Sequence, residues 1–99
     1  MGRIPPTVLP NNMKIKPEFQ IYEALGERYL VPLGDAPFKG IVKGNETAAF
    51  IWKALEKGST EEEIIKALLD KYEGVTETDA AKDVTAVLER LRSIDAIEE

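Results

Sequence analysis

The 99-residue sequence contains no cysteine and no histidine. Without cysteine the chain can form no disulfide and has no thiolate nucleophile. Histidine is the side chain most often used for proton transfer near neutral pH and is the commonest metal ligand. Since both residue types are missing, we expect a protein that is not an enzyme and that uses no metal and no cofactor.

Two further features are missing, and they concern membranes and nucleic acids. No apolar run approaches the ~20 residues that a membrane-spanning helix needs, and the N-terminus lacks the apolar stretch of a signal peptide. The formal net charge is −5, whereas phosphate binding requires clustered Lys and Arg on a basic face. We therefore expect a cytoplasmic protein that binds neither membrane nor nucleic acid.

The acidic residues, although there are 18 of them, show no catalytic or metal-binding pattern. Those of the C-terminal half fall in first helical turns, on polar helix faces or at the C-terminus, where the helix dipole or water already accounts for them. No Asp-x-Asp-x-Asp-Gly calcium loop is present. No Gly-x-Gly-x-x-Gly or Gly-x-x-x-x-Gly-Lys motif is present to hold a phosphate.

The N-terminal half of the chain has the pattern of a small β-sheet. Residues 1–15 contain Pro5, Pro6 and Pro10, which predict a flexible arm before a domain that spans residues 16–99. Three β-type runs follow, and they are Phe19–Leu25, Arg28–Leu33 and Phe38–Lys43. Gly26-Glu27 fits a two-residue hairpin turn, and the middle run is apolar on both faces. We expect a three-stranded antiparallel meander.

After Gly44 the periodicity becomes helical. Three helices are predicted, over Glu46–Lys57, over Glu61–Tyr72 and from about Thr76 or Thr78 to Ser93. Asn45 fits an N-cap, and Thr60 with Glu63 fits a capping box. The first helix carries an apolar stripe that includes the only tryptophan, and this stripe consists of Ala48, Ile51, Trp52 and Leu55. Phe50 lies away from this stripe, so it is either exposed or covered by another element.

A sheet followed by three helices indicates an α+β, winged-helix-like domain, and such domains often bind DNA. In the third helix, however, Lys82, Arg90 and Arg92 are balanced by acidic residues, so a DNA-binding or transcriptional adaptor domain is the alternative function. The third strand would lie at a sheet edge, where an extended peptide can add as a further strand. The other possibility is that Lys39 and Lys43 only protect this edge from aggregation.

Four segments closely resemble the PqqD-like family, the coenzyme PQQ synthesis protein D family. They are Leu30-Val31-Pro32-Leu33-Gly34, Gly40-Ile41-Val42, Asn45-Glu46-Thr47-Ala48-Ala49-Phe50-Ile51-Trp52 and Thr60-Glu61-Glu62-Glu63-Ile64. The segment Asp83–Leu91 resembles the last helix of that family. The likeness extends over about residues 16–99 and leaves the proline-containing arm unexplained.

The resemblance implies a RiPP recognition element, which is a non-enzymatic peptide chaperone. Such a domain binds the leader segment of a ribosomally made precursor peptide and presents it to a modifying enzyme, often a radical SAM protein, in PQQ-type cofactor or peptide natural-product biosynthesis. The leader is expected to add to the third strand and to lie against the third helix. By position, the implied peptide-binding residues are Phe38, Lys39, Gly40, Ile41, Val42, Lys43, Asp83, Val84, Val87, Leu88, Arg90 and Leu91.

Overall fold

The computed structural model of the chain describes residues 12–34, 36 and 40–98. The elements within these residues are, in order, β1 (Lys14–Ile15), β2 (Phe19–Ala24), β3 (Glu27–Pro32), β4 (Val42–Gly44), α1 (Glu46–Glu56), α2 (Glu61–Lys71), α3 (Glu77–Ser93) and β5 (Ile97–Glu98). Strands β2, β3 and β4 form an antiparallel sheet with β3 in the middle, and β1 pairs with β5. The predicted α+β arrangement of a meander followed by three helices is confirmed.

The β2–β3 hairpin turns one residue earlier than the sequence predicted. Ala24 pairs with Glu27, so the two turn residues are Leu25 and Gly26, with φ angles of 54° and 77°. Positive φ at both central positions defines a type I′ turn, whose twist matches that of the flanking strands. The predicted Gly26-Glu27 turn is wrong because glycine takes the second turn position here, and Leu25 adopts the uncommon left-handed conformation at the first.

Strand β4 is shorter than the predicted strand Phe38–Lys43. It occupies Val42–Gly44, while Gly40 and Ile41 precede it without strand geometry, and the other predicted positions, Phe38 and Lys39, lie outside the described residues. Leu30 pairs with Val42, and continuing this register would place Pro32 opposite Gly40. Proline has no N–H to donate, so the hydrogen-bonded ladder cannot extend to that pair.

One apolar core joins the inner face of the sheet to the helices. On the sheet, Ile21, Leu30 and Val42 form one cross-strand row, and Leu30 and Val42 are buried. The largest fully buried side chains come mainly from the helices, and they are Trp52, Leu30, Ile51, Leu55, Ile64, Leu68, Leu88, Leu91 and Val84. The apolar stripe predicted for the first helix, α1, therefore faces the core, and α2 and α3 each add buried side chains to it.

The helix starts follow the predicted caps. Asn45 Oδ1 accepts a hydrogen bond from the Ala48 N–H at 2.8 Å. The Thr60 hydroxyl accepts from the Glu63 N–H at 3.1 Å, and the Glu63 carboxylate accepts from the Thr60 N–H at 3.0 Å, which completes the capping box. Thr76, and not Thr78, is the N-cap of α3.

Phe50 is covered by α2. Its ring packs edge-to-face on Tyr72, with 6.1 Å between the ring centroids. Tyr72 itself donates a hydrogen bond to Glu46 at 3.2 Å. This contact holds the end of α2 against the start of α1. Of the two alternatives expected for Phe50, exposed or covered by another element, the second is therefore correct.

The segment Met13–Ile15 differs from the expected arm. Met13 and Ser59 exchange two backbone hydrogen bonds of 2.8 and 2.9 Å, and Ile15 pairs with Ile97. Met13 and Ile15 are buried and share one face, since they alternate with exposed Lys14. The folded domain therefore includes these residues, and the predicted arm upstream, residues 1–11, lies outside the described part.

In the described part of the chain, the helices all lack the length and hydropathy that crossing a bilayer would require.

We expect Trp52→Ala to lower the free energy of unfolding by ~3–5 kcal/mol, because the lost transfer energy and a large cavity add. Trp52 is only 2% exposed. Urea unfolding followed by circular dichroism measures the change, and Lys53→Ala, at the exposed neighbouring position, is the matched control. Equal stability of the two variants would contradict the core position of Trp52.

Candidate functional site

Strand β4 has one unpaired edge. It pairs with β3, and no strand of the described residues pairs with its other side. Edge N–H and C=O groups of this kind can bond to another extended chain. Which groups of β4 point outward follows from the register of the sheet.

The hairpin fixes that orientation. Residues that flank a two-residue hairpin turn form a hydrogen-bonded pair, and such pairs alternate along an antiparallel ladder. Because Ala24 and Glu27 flank the turn, the backbone groups of Arg28 and Leu30 face β4. Their partners Gly44 and Val42 therefore face β3, and the N–H and C=O of Lys43 face outward.

A groove runs beside this edge. A cavity of about 160 Å³ lies between β4, the first turns of α1 and the middle of α3. Its walls are mainly apolar, and they consist of Val42, Lys43, Gly44, Ala48, Trp52, Ala86, Val87 and Arg90. An extended chain added to β4 would place every second side chain toward this cavity, since side chains alternate along a strand.

Gly44 allows the floor of the groove to form. A Cβ atom at this position would lie 2.5 Å from Cη2 and 2.8 Å from Cζ2 of the Trp52 indole. Contacts this short do not occur with real Cβ atoms, so only glycine lets the indole pack directly under the β4 backbone. The edge strand β4 and the helix α1 thus pack together with no side chain between them at Gly44.

Lys43 brings positive charge to the edge. Its ammonium lies 2.9 Å from a carboxylate oxygen of Glu27. The hydrogen bond to Glu27 and the charge of that carboxylate raise the pKa of Lys43 above its ordinary value, so the side chain stays charged at neutral pH. Because both partners are largely exposed, the pair contributes little to stability.

Four of the residues implied by the resemblance meet at the groove, namely Val42, Lys43, Val87 and Arg90. Asp83 is exposed and shares the helix face of Val87 and Arg90, since it lies four and seven residues before them.

Three other implied residues do not line the groove. Val84, Leu88 and Leu91 are 0%, 1% and 0% exposed, so they have no surface for a peptide. Their stripe of α3 faces the core that α3 shares with α1 and α2, and their assignment as peptide contacts stays a prediction that this packing does not favour.

The strand positions also separate. Val42 and Lys43 belong to β4, whereas Ile41 lies on the opposite face of the sheet from the groove. Gly40 is half-buried before the strand.

The sequence prediction missed four groove residues, which are Gly44, Ala48, Trp52 and Ala86. Trp52, which the sequence places in the apolar stripe of the first helix, is buried in the core and also forms part of the groove wall. The small side chains of Ala48 and Ala86 leave space for the groove. Composition and apolar periodicity do not identify such positions, because they do not report side-chain size. The position of Ala86, three residues after Asp83 and four before Arg90, would have placed it on the correct face.

Within residues 12–34, 36 and 40–98, no three metal-ligating side chains come together. The charges of α3 do not form a basic surface either, since Lys82, Arg90 and Arg92 share the helix with Glu77, Asp79, Asp83 and Glu89. The interactions available at this edge are therefore main-chain hydrogen bonds, burial of apolar side chains and contacts with the charged groups of Lys43, Asp83 and Arg90.

The fold and the site define a small winged-helix-like domain with an open sheet edge beside an apolar groove. Residues 30–97 match the family described as coenzyme PQQ synthesis protein D (PqqD). The match covers well over half of the chain, and the chain belongs to this family.

Two solved structures share the fold. TbiB1 in complex with the TbiA(beta) leader peptide superposes with a TM-score of 0.70 at 24% identity, covering 86% of this chain and 94% of that chain. Lasso peptide synthetase B1 complexed with the leader peptide gives the same TM-score and identity, covering 88% and 98%. No curated protein sequence matches the chain.

We expect Gly44→Ala to lower the free energy of unfolding by about 1–3 kcal/mol, the usual cost of overpacking. The added Cβ would push the Trp52 indole and the β4 backbone apart. Urea unfolding followed by circular dichroism tests this, with Lys43→Ala as the control on the same strand. If Gly44→Ala is as stable as the control, the close approach does not constrain the groove.

Proposed function

We propose that this chain is a RiPP recognition element that binds the leader segment of a ribosomally made precursor peptide by strand addition at β4. It presents the precursor to a separate modifying enzyme and catalyses no step itself. The observation that carries the proposal is the outward-facing edge of β4 beside an apolar groove. Membership of the PqqD family and two neighbours solved with leader peptides support it.

The two parts of the site have different tasks in this proposal. Main-chain hydrogen bonds from the β4 edge supply affinity for any extended segment, and the groove supplies specificity for the side chains that enter it. Edge protection by Lys43 alone would not require an apolar cavity on the adjoining helix face. The cavity therefore favours peptide binding over the protective role.

The enzyme partner is part of the same proposal. The family resemblance implies a radical SAM protein or another peptide-modifying enzyme, as in PQQ-type cofactor or peptide natural-product biosynthesis. Asp83, Val87 and Arg90 are the α3 residues proposed to contact the leader. The cytoplasmic location expected from the sequence stays a prediction.

A pair of proline variants tests strand addition. Lys43→Pro deletes an outward N–H, so it should weaken leader binding about fivefold to tenfold, the worth of a main-chain hydrogen bond, while the fold survives. Val42→Pro deletes an inward N–H and should lower the melting temperature. The probes are synthetic leader peptides from short reading frames next to the gene, titrated by calorimetry with amide-shift mapping.

Lys43→Ala and Val42→Ala are the matched controls, since they remove the side chains and keep the N–H groups. Strand addition is wrong if a saturating leader shifts no amide within Val42–Gly44, or if Lys43→Pro binds as tightly as Lys43→Ala.

The DNA-binding alternative makes an opposite prediction. With acidic residues outnumbering cations on α3, binding to duplex DNA should be weak and should vanish at physiological salt. Filter binding with a pool of randomised duplexes, enriched over several rounds and then measured across a salt series, tests this. Sequence-specific nanomolar binding at physiological salt would support a DNA-binding domain and overturn the peptide proposal.

A further inference from the structure

The face of the sheet that points away from the helices carries an apolar patch. It surrounds a cavity of about 400 Å³ lined by Gln20, Tyr22, Tyr29, Val31, Leu33 and Ile41. We call these six residues the outer-face patch. Tyr22 and Ile41 are 57% and 63% exposed, which is unusual for large apolar groups gathered on one surface.

The core does not need this patch. The opposite face of the same strands buries Leu30 and Val42 against the helices, and no described helix lies on the outer face. Residues that serve only the fold would be polar here, because an antiparallel sheet with one solvated face normally alternates apolar and polar residues. The patch therefore points to a partner.

The patch continues to the open edge of β4. Tyr22 pairs with Tyr29, and Tyr29 pairs with Lys43, so these three form one cross-strand row. Gln20 pairs with Val31, and Ile41, one residue before β4, lines the same cavity as both. A strand added to β4 would place a side chain opposite Lys43, with about 4.5–5.5 Å between the two Cβ atoms, and its next outer-face side chain, two residues along, would lie beside Ile41.

We propose, resting on the proposed function, that the leader is recognised on both faces of the extended sheet through three consecutive residues. The residue opposite Ile41 is apolar and extends the outer-face patch. The residue opposite Val42 is apolar and enters the groove. The residue opposite Lys43 is Asp or Glu, because the lysine ammonium has three donors and its bond to Glu27 leaves the others available.

The order of the three residues reports the direction of the bound peptide. An antiparallel peptide meets Lys43 first, so its N-to-C order is acidic, apolar, apolar. A parallel peptide has the reverse order. If the protein recognised the peptide through the groove alone, it would select apolar residues at every second position. Recognition on both faces of the sheet requires two adjacent apolar residues.

Selection from a displayed library of random twelve-residue peptides on the immobilised full chain tests the signature. We expect enrichment of two adjacent apolar residues next to an acidic one, in a single order. Added salt should reduce the acidic preference and leave the apolar pair. Enrichment of apolar residues only at alternate positions would overturn the inference.

A double-mutant cycle tests the contact itself, with the best selected peptide made synthetically. Ile41→Ala should weaken binding up to about fivefold, the range of one cross-strand pair. The loss of binding free energy should be coupled to an Ala substitution of the peptide residue opposite Ile41. It should be additive with an Ala substitution of the peptide residue opposite Val42, which faces the groove. Leu69→Ala, at an exposed leucine of α2, is the matched control and should leave the affinity unchanged.

The outcomes separate this inference from the proposed function. If the selected peptide shifts the Val42–Gly44 amides while Ile41→Ala shows no coupling, recognition on both faces is wrong and strand addition stands. If no selected peptide shifts those amides, both fail. If sedimentation shows a dimer that Ile41→Ala dissociates without changing peptide affinity, the patch binds a second copy and the inference is wrong.

Discussion

The contact between the Trp52 indole and the Gly44 backbone is the constraint on which the rest of the structure depends. It brings Gly44, the last residue of β4, against the helix α1 with no Gly44 side chain between them. Asn45 caps α1 directly after Gly44, so strand, cap and indole lie within one short segment. The core forms on one side of this contact, and the groove lies on the other. The same packing that stabilises the fold thus shapes the surface proposed to bind peptide.

The helices could be predicted well because their information is local. Caps at Asn45 and Thr60 and stripes such as Ile51, Trp52 and Leu55 lie within a few residues of each other. The ends of the strands depend on pairing across the sheet. The truncation of β4 follows from Pro32 on the neighbouring strand, which no inspection of the segment 38–43 reveals. Met13 and Ile15 gain their burial from Ser59 and Ile97, distant in sequence and invisible to a local pattern.

The candidate site could be predicted at the level of elements and only in part at the level of residues. The face of α3 that lines the groove includes Val87 and Arg90, and the face that lines the core includes Leu88 and Leu91. These two faces differ by one position along the helix. Apolar periodicity identifies both as a single broad stripe, and only the packing of α1 and α2 separates them. The position of the groove also depends on Ala48 and Ala86, whose small side chains leave its space open.

Trp52 is the only tryptophan in the chain, and its ring edge forms part of the groove wall. The tryptophan fluorescence of the unmodified protein therefore comes from one indole, at the wall of the proposed peptide groove. Since the indole is only 2% exposed, little water contacts it, and a side chain in the groove would change its emission through direct contact with the ring edge, whereas binding on a remote surface would leave the emission unchanged. The fold thereby contains its own optical reporter of groove occupancy, and it is suited to ligand screening without any attached label.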